Sequence, residues 1–236
     1  MLERQLLTSK NKIHNIQSNN ELCVQHFNNK NNYADVVLNM FNTDRFYDQI
    51  FLGWDNITVL DIGANIGLFS LYIQDRATAV YSLEPTPNHF SILKELTGEF
   101  KNIHPMQVAL SDRDDVISFY VSEENSTMNS IVNEYGTKIE VQSKRLPTLL
   151  DDLNLPTVDF IKCDIEGSEM IAINDDIIAA TKDRVKVWHL EVHATSKYPS
   201  EEYSLQQNRI QLGKIFMNNG YKTMLYRYDC LYAYRI

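Results

Sequence analysis

The chain has few of the residues that would cross-link it, bind a structural metal or hold it in a membrane. It has 3 cysteines in 236 residues, and Cys23, Cys163 and Cys230 stand far apart, at no spacing that metal ligands use. An odd, scattered set excludes a disulfide framework and indicates a reducing compartment. No stretch approaches the roughly 20 apolar residues that span a bilayer, and the first residues lack the pattern of a secretory signal. We therefore expect a cytoplasmic protein.

Basic residues are also scarce. The sequence has 22 Lys and Arg against 31 Asp and Glu, a formal net charge of −9. Because such a surface repels polyanions on average, we expect neither nucleic acid nor a membrane as a partner. The hydrophobic fraction of 44% is that of a globular protein. We expect a helical extension or cap over residues 1–54 and one main domain over residues 55–236, and we leave the oligomeric state open.

Segments of strand and helix character alternate along the main domain. Five predicted strands precede the C-terminal pair, over residues 59–62, 79–83, 103–110, 157–163 and 185–192. The last two, residues 221–226 and 230–235, are close enough together only for a hairpin. This alternation predicts an α/β fold, with a Rossmann-like, mostly parallel sheet of seven strands, a C-terminal antiparallel hairpin and helices on both faces.

An insert interrupts the alternation after residue 110. Residues 116–121 alternate as a half-buried strand, and residues 138–141 can pair with it. Between them lies a long polar loop, residues 122–136. Its segment Ser126-Thr-Met-Asn129 is either a lid over a site or a solvated excursion.

The most specific local motif joins the first strand to the helix after it. It runs Asp61-Ile-Gly63-Ala64-Asn65-Ile-Gly67. Glycines at such a turn permit positive φ and let the backbone approach a ligand that a Cβ would exclude. Asp61 would repel a pyrophosphate, so a cationic nucleoside without phosphate fits better than a dinucleotide. Glu84, at the end of the second strand, either accepts hydrogen bonds from ribose hydroxyls or caps the turn before Pro85.

These residues resemble the cofactor motif of class I S-adenosylmethionine-dependent methyltransferases, and three further segments narrow the resemblance to the FkbM-type family. The segments are Val108-Ala-Leu-Ser-Asp112, Arg145-Leu-Pro-Thr-Leu-Leu-Asp-Asp152-Leu and Val158-Asp-Phe-Ile-Lys162-Cys-Asp164-Ile-Glu166-Gly167-Ser-Glu169. They match in order and spacing over residues 58–193. Cys163 and Ser168 depart from the usual pattern, and both changes are conservative.

The resemblance implies the class I methyltransferase fold, S-adenosylmethionine as the cofactor, and a small molecule or glycan as the methyl acceptor. It places Asp61 near the methionine end of the cofactor, Glu84 on its ribose, and Ala109 with Leu110 near its adenine. The implied cofactor contacts are Asp61, Gly63, Ala64, Asn65, Gly67, Glu84, Ala109, Leu110 and Asp164. Plain core packing explains Ala109 and Leu110 equally well.

Four polar residues end the predicted core strands. Asp164 and Glu166 follow one strand, and Glu191 and His193 end the next. Because adjacent parallel strands end at one edge, we expect all four at a catalytic rim beside the transferred methyl group. His193 is the first candidate for a base and Asp164 the second, while Glu166 orients substrate or a turn. A structural hydrogen bond explains His193 equally well. The acids can also hold a divalent ion, but no local ligand motif supports one, so no metal is predicted.

Three functions are compatible with these features. The leading interpretation is O-methylation of a hydroxyl on a small molecule or sugar, with other oxygen or nitrogen acceptors left open. A nicotinamide-dependent reductase on a doubly wound sheet is the second interpretation, and both Asp61 and the missing G-x-G-x-x-G spacing disfavour it. A module that binds a nucleoside without turnover is the third, and the intact acidic rim disfavours it.

Overall fold

The computed structural model describes residues 50–121, 131, 136–195 and 198–235. The predicted extension over residues 1–54 falls almost wholly outside this part of the chain. The candidate lid at residues 126–129 also lies outside it. Both therefore stay predictions.

Ten strands are described, and seven of them form the main sheet. In chain order they are β1 (Ile57–Ile62), β2 (Ala77–Leu83), β3 (Ile103–Met106), β4 (Ala109–Leu110), β5 (Val116–Val121), β6 (Thr137–Lys144), β7 (Val158–Cys163), β8 (Val185–Glu191), β9 (Lys222–Tyr226) and β10 (Cys230–Tyr234). The main sheet has the order β3-β2-β1-β7-β8-β10-β9, and β10 runs antiparallel to both of its neighbours. The other pairs are parallel. The predicted sheet with its C-terminal hairpin is confirmed.

The predicted third strand is divided between two sheets. β3 stays in the main sheet, whereas β4 pairs with β6, which also pairs with β5. We call β4, β5 and β6 the small sheet. The prediction of one strand over residues 103–110 is wrong because the chain turns between them, where the Val108 N–H donates to the carbonyl of Met106 at 3.1 Å. The predicted pairing of residues 138–141 is confirmed, with Ile139 opposite Phe119.

Side chains of the main sheet alternate between two faces, and helices cover both. The helices are α1 (Leu68–Ile73), α2 (Pro87–Thr97), α3 (Leu146–Asp152), α4 (Glu169–Ala172), α5 (Asp175–Thr181) and α6 (Glu201–Asn218). Val59 packs in one apolar cluster with residues of α1 and α2. The next residue, Leu60, packs in the other cluster with residues of α3, α5 and α6. The predicted placement of helices on both faces is confirmed.

Register brings the ends of three central strands to the same level. Ile62, the last residue of β1, is paired with Cys163, the last residue of β7. Cys163 in turn is paired with Leu190, next to the end of β8. The residues that follow these strands therefore share one edge of the sheet, which is where open α/β sheets bind ligands.

Of the described helices, none combines the length and the apolar character that crossing a membrane requires. Cys163 and Cys230, the two cysteines in the described part of the chain, are buried free thiols. Burial raises the pKa of both thiols, so neither is a thiolate nucleophile at neutral pH.

Candidate active site

A cleft opens at the carboxyl edge of the main sheet, where β1, β2 and β7 end. The ends of these strands and the small sheet supply its lining, which is Ile62, Gly63, Asn65, Leu83, Glu84, Pro85, His89, Val108, Ala109, Leu110, Phe119, Ile131, Asp164, Ile165, Glu166 and Ser168. Of the residues named from the sequence as cofactor contacts, Gly63, Asn65, Glu84, Ala109, Leu110 and Asp164 line the cleft, and Asp61, Ala64 and Gly67 do not.

Two positions in the turn after β1 accept only glycine, because neighbouring atoms of the protein leave no room for a side chain. Gly63 has a φ of 76° and Gly67 a φ of 90°, both in the left-handed region. A Cβ on Gly63 would lie 1.8 Å from the carbonyl oxygen of Asp164, and one on Gly67 would lie 2.5 Å from Cδ1 of Leu93. The missing side chains therefore let β1 approach the end of β7 and let α1 pack on α2.

Glu84 is buried at the end of β2 and lines the cleft. Its Oε1 accepts hydrogen bonds from the N–H and hydroxyl of Thr86 at 2.9 and 2.5 Å, and its Oε2 accepts one from the Asn65 N–H at 3.0 Å. Burial raises the pKa of Glu84, and these hydrogen bonds oppose the rise. Because Oε2 carries one bond, it retains capacity for another donor. The carboxylate thus orders the turn that leads into α2 and still faces the cleft.

Asp61 lies beneath the cleft. Its side chain is fully buried, and its Oδ2 accepts a hydrogen bond from the Ser70 hydroxyl at 2.6 Å. That hydroxyl also contacts Ser82 Oγ at 2.7 Å, and Lys162 Nζ lies 3.9 Å from Asp61 Oδ1. Burial raises the pKa of Asp61, while Lys162 opposes the rise. Asp61 thus takes part in a polar network inside the protein, and its contact with the methionine end of the cofactor stays a prediction.

The apolar wall of the cleft belongs to the small sheet. Ala109 and Leu110 are buried and line the cleft, as does Phe119 of β5. Ala109 packs in one cluster with Phe119 and Val141. The sequence predicted residues 116–121 only as a half-buried strand, so Phe119 was not among the predicted site residues.

The four predicted rim residues come together, and a fifth joins them. His193 Nε2 lies 3.3 Å from Glu166 Oε2 and 3.8 Å from Asp164 Oδ1. Its Nδ1 lies 2.9 Å from Oε1 of Glu169, a carboxylate with no exposed surface. Glu191 offers an oxygen within 4.8 Å of ligand atoms of Asp164 and His193. Sequence reasoning gave Glu169 no role, although it is the last acid of the Lys-x-Asp-x-Glu-Gly-x-Glu segment.

The surrounding carboxylates set the charge of His193. Burial alone lowers the pKa of His193, but the hydrogen bond to Glu169 and the charges of Glu169, Asp164 and Glu166 outweigh it and raise the pKa to about 10. The imidazole therefore carries a proton at neutral pH, which is the opposite of what a general base needs. In this arrangement His193 is a cation that orients the acids around it.

The acids of the rim differ in their protonation. Burial and the charge of Asp164 raise the pKa of Glu166 to about 8. The pKa of Glu191 is raised to about 7, mainly by the charge of Asp164 and in second place by burial. Burial also penalises ionised Asp164, but Lys162, whose Nζ lies 3.2 Å from Oδ2, and His193 together lower its pKa. Asp164 is thus ionised at neutral pH.

The fold and the cleft define a Rossmann-like α/β protein with a cleft beside an acidic rim. Residues 61–212 match the family described as the methyltransferase FkbM domain. The match covers more than half of the chain, and the chain belongs to this family. Both the predicted family and the predicted class I methyltransferase fold are confirmed.

Known relatives share part of their length with this chain. Methyltransferase sdnD of Sordaria araneosa is 26% identical, and the match covers 58% of this chain and 66% of that protein. The AMB antimetabolite synthetase AmbE of Pseudomonas aeruginosa is 26% identical over 66% of this chain and 10% of that protein. The crystal structure of methyltransferase FkbM from Methylobacillus flagellatus is 18% identical, with a TM-score of 0.49, over 76% of this chain and 44% of that chain. The chain thus spans between 10% and 66% of the length of these proteins.

Proposed function

We propose that the protein transfers a methyl group from S-adenosylmethionine to a hydroxyl on a small molecule or sugar. The observation that carries the proposal is the continuity of the cleft with the rim, because Asp164 and Glu166 belong to both. Membership of the FkbM methyltransferase family supports methyl transfer as the reaction. Carboxylates beside the cleft favour an acceptor that must lose a proton, as a hydroxyl does.

The residues of the cleft fit S-adenosylmethionine. Oε2 of Glu84 has capacity to accept a hydrogen bond from a ribose hydroxyl. Ala109, Leu110 and Phe119 form an apolar wall that suits an adenine ring. Ionised Asp164 favours a sulfonium cation over a phosphate. When bound, the cofactor supplies an electrophilic methyl group on a positively charged sulfur.

The rim supplies a place for the proton of the acceptor. Methylation of a hydroxyl requires that its oxygen be held in line and that its proton leave. His193 already holds a proton at neutral pH, so it is not assigned the role of base. We assign proton acceptance to Asp164, the rim acid that lines the cleft and is ionised at neutral pH, and orientation of the acceptor to Glu166 beside it. Cationic His193, 3.3 Å from Glu166, keeps that carboxylate in place.

A small organic molecule is the acceptor that the relatives favour. AmbE is described as an antimetabolite synthetase, and an antimetabolite is a small molecule. The net charge of −9 supports an acceptor other than nucleic acid and argues against a membrane partner. The proposal places the reaction in the cytoplasm, where the buried thiols Cys163 and Cys230 stay reduced.

The test is the transfer of a labelled methyl group. The full chain is incubated with methyl-labelled S-adenosylmethionine and small-molecule extract from its source cells, and the labelled product is identified by mass spectrometry. The expected product carries the label on an oxygen. Label on nitrogen would contradict the hydroxyl assignment, and no labelled product at all would contradict methyl transfer.

Variants then test the rim with the acceptor that this experiment identifies. Asp164→Asn and Glu166→Gln are expected to lower the turnover rate, by about 100-fold for the residue that takes the proton. Glu140→Gln, at an exposed position on β6, is the matched control and leaves the rate unchanged. Unchanged rates in both rim variants would show that neither acid takes part in the reaction.

A further inference from the structure

We propose that residues 33–47 pack on the main sheet over β8, β10 and β9, on the face that carries Val59. The described helices on this face lie over other strands, since α1 packs against β2 and α2 packs against β3. On the opposite face, which carries Leu60, α6 packs against β9 and β10. The half of the Val59 face over β8, β10 and β9 is therefore the place where a further segment can pack.

Five side chains form this half of the face. Val187 of β8 packs in the same apolar cluster as residues of α1, which fixes its side of the sheet. Residues directly opposite each other in antiparallel pairs share a face, as do alternate residues of one strand. The rings of Tyr232 and Tyr234 on this face lie 5.6 Å apart. We call the five residues the aromatic face: Val187, His189, Met224, Tyr232 and Tyr234.

The aromatic face is covered at its centre and exposed at its margin. Val187 and His189 are 5% and 4% exposed, whereas Met224 on the edge strand β9 is 46% exposed. Burial also lowers the pKa of His189 to about 3, so the ring is uncharged at neutral pH. Side chains on a sheet face lose contact with water when another layer packs over them. Because α1 and α2 lie over β2 and β3, a further segment supplies that layer here.

The chain before the first described residues joins the sheet beside the aromatic face. Description begins at Ile50, and the ring of the next residue, Phe51, lies 4.7 Å from that of Phe160 on β7. Phe51 and Phe160 belong to the apolar cluster of the Val59 face. β8 is the next strand after β7 in the sheet. Residues 33–47 are thus tethered one strand away from the surface that they are proposed to cover.

The sequence of this segment suits a helix with one apolar side. Tyr33, Val37, Met40 and Phe41 recur at the spacing i, i+4, i+7 and i+8, which places them on one face of a helix. Fifteen helical residues are about 22 Å long. Strands of five to seven residues, such as β10 and β8, span about 17–23 Å. A helix over residues 33–47 therefore matches the length of the surface.

The charges of the two surfaces are complementary. The segment and the two residues after it carry three aspartates and one arginine, which are Asp35, Asp44, Asp48 and Arg45. Lys222 is exposed on β9 directly opposite Tyr234, at the margin of the aromatic face. An acidic segment beside this lysine is favoured over a basic one.

The same face continues to the rim. Glu191 follows His189 by two residues, so both lie on the same side of β8. A segment that covers the aromatic face therefore ends beside Glu191. Under the proposed function, on which this consequence rests, residues 33–47 form part of the wall beside the methyl acceptor.

Photo-cross-linking in the full chain tests the packing. Met224 and Leu225 are exposed neighbours on β9, but Leu225 is opposite Leu231, on the face that α6 covers. Met224→p-benzoylphenylalanine is irradiated at low protein concentration, and the cross-linked peptides are identified by mass spectrometry. Cross-links to residues 33–47 are expected. Leu225→p-benzoylphenylalanine is the matched control and is expected to give none to that segment.

A second pair of substitutions tests which side of the segment packs. Combined with the probe at position 224, Phe41→Asp is expected to remove most of the cross-link, because it places a charge on the apolar side. Asn39→Asp adds the same charge on the opposite side of the helix and is expected to keep the cross-link. Circular dichroism checks that each variant is folded.

Each outcome supports or overturns the proposal. Cross-links from position 224 to a second copy of the chain, recognised by a doubled mass, would overturn it and assign the aromatic face to an interface between copies. Absence of cross-links to residues 33–47, or equal yields from positions 224 and 225, would also overturn it. Cross-linking requires no cofactor, so its failure is distinguishable from a failure of methyl transfer in the labelled-methyl experiment.

Discussion

The two sides of the cleft are built in different ways. On the side of β1 and β2, both carboxylate oxygens of Glu84 accept backbone hydrogen bonds, one from Thr86 and one from Asn65. On the rim side, His193 meets Glu169 from 24 residues away, and Asp164 keeps a buried oxygen without a hydrogen-bond donor among the described residues. The hydrogen bonds of Glu84 preform the first side, whereas the second gathers several carboxylates around one histidine. Under the proposed function, the side of Glu84 binds the cofactor and the rim takes part in the chemistry.

The largest effect is expected where the two sides touch. Gly63→Ala would place a Cβ 1.8 Å from the Asp164 carbonyl oxygen at a φ of +76°. The left-handed backbone and the clash together should lower the free energy of unfolding by about 2–5 kcal/mol, measured by urea titration. Gly220→Ala is the matched control, because its φ is +85° and no atom lies within 4 Å of the added Cβ. It should lose only about 1–2 kcal/mol. Equal losses in the two variants would contradict the close approach of β1 and β7.

Glu84→Ala tests the preformed side. Loss of a charge-assisted hydrogen bond should weaken S-adenosylmethionine binding by roughly 1.5–3 kcal/mol, or about 10- to 150-fold, measured by calorimetry. Glu84→Gln keeps an acceptor for Thr86 and should be weakened less. Glu99→Ala, at an exposed position after α2, is the control. An unchanged dissociation constant in folded Glu84→Ala would show that the ribose binds elsewhere.

Raised pKa values make the stability of the rim depend on pH. The pKa of His193 is raised to about 10, that of Glu166 to about 8 and that of Glu191 to about 7. Each group binds its proton more tightly in the folded state, so its stabilisation is complete below its unfolded pKa and is lost as pH rises through the folded pKa. The protein should lose on the order of 5 kcal/mol of unfolding free energy between about pH 6.5 and pH 9.

The control for this pH dependence is His193→Gln, in which the stability should fall less steeply over the same range. Urea titrations at several pH values give both curves. A stability that is flat or rises with pH in the parent protein would contradict the account of the rim.

The smallest effect is expected beneath the cleft. Ser70→Ala removes the hydroxyl that contacts Asp61 Oδ2 and Ser82 Oγ. The free energy of unfolding should fall by about 1–2 kcal/mol, because Asp61 loses a buried donor. Cofactor affinity should change little, since Asp61 does not line the cleft. Ser91→Ala, at an exposed position on α2, is the control. A large loss of affinity in Ser70→Ala would place Asp61 in direct contact with the ligand after all.

Local patterns in the sequence predicted the features that depend on local structure. Alternation of strands and helices predicted the main sheet, its terminal hairpin and its covered faces. The glycine motif predicted the turn after β1, and the end of β2 predicted Glu84 in the cleft. The four rim residues were placed correctly at one edge because parallel strands end together.

Features that depend on contacts between distant segments were not predicted. The division of residues 103–110 between two sheets depends on pairing of β4 with β6, more than thirty residues later along the chain. The burial of Asp61 depends on Ser70 and Lys162, which come from α1 and β7. The charge of His193 depends on Glu169, whose burial no local pattern shows. The sequence predicted most of the helices and strands. It did not predict the surroundings of the individual side chains.

Equilibrium binding of cofactors tests the central claim most directly. The full chain is titrated in parallel with S-adenosylmethionine and with NADH, and the heat of binding is measured. The account predicts saturable binding of one S-adenosylmethionine per chain and no binding of NADH, because the cleft lies between Glu84 and ionised Asp164. Saturable binding of NADH with none of S-adenosylmethionine would contradict it.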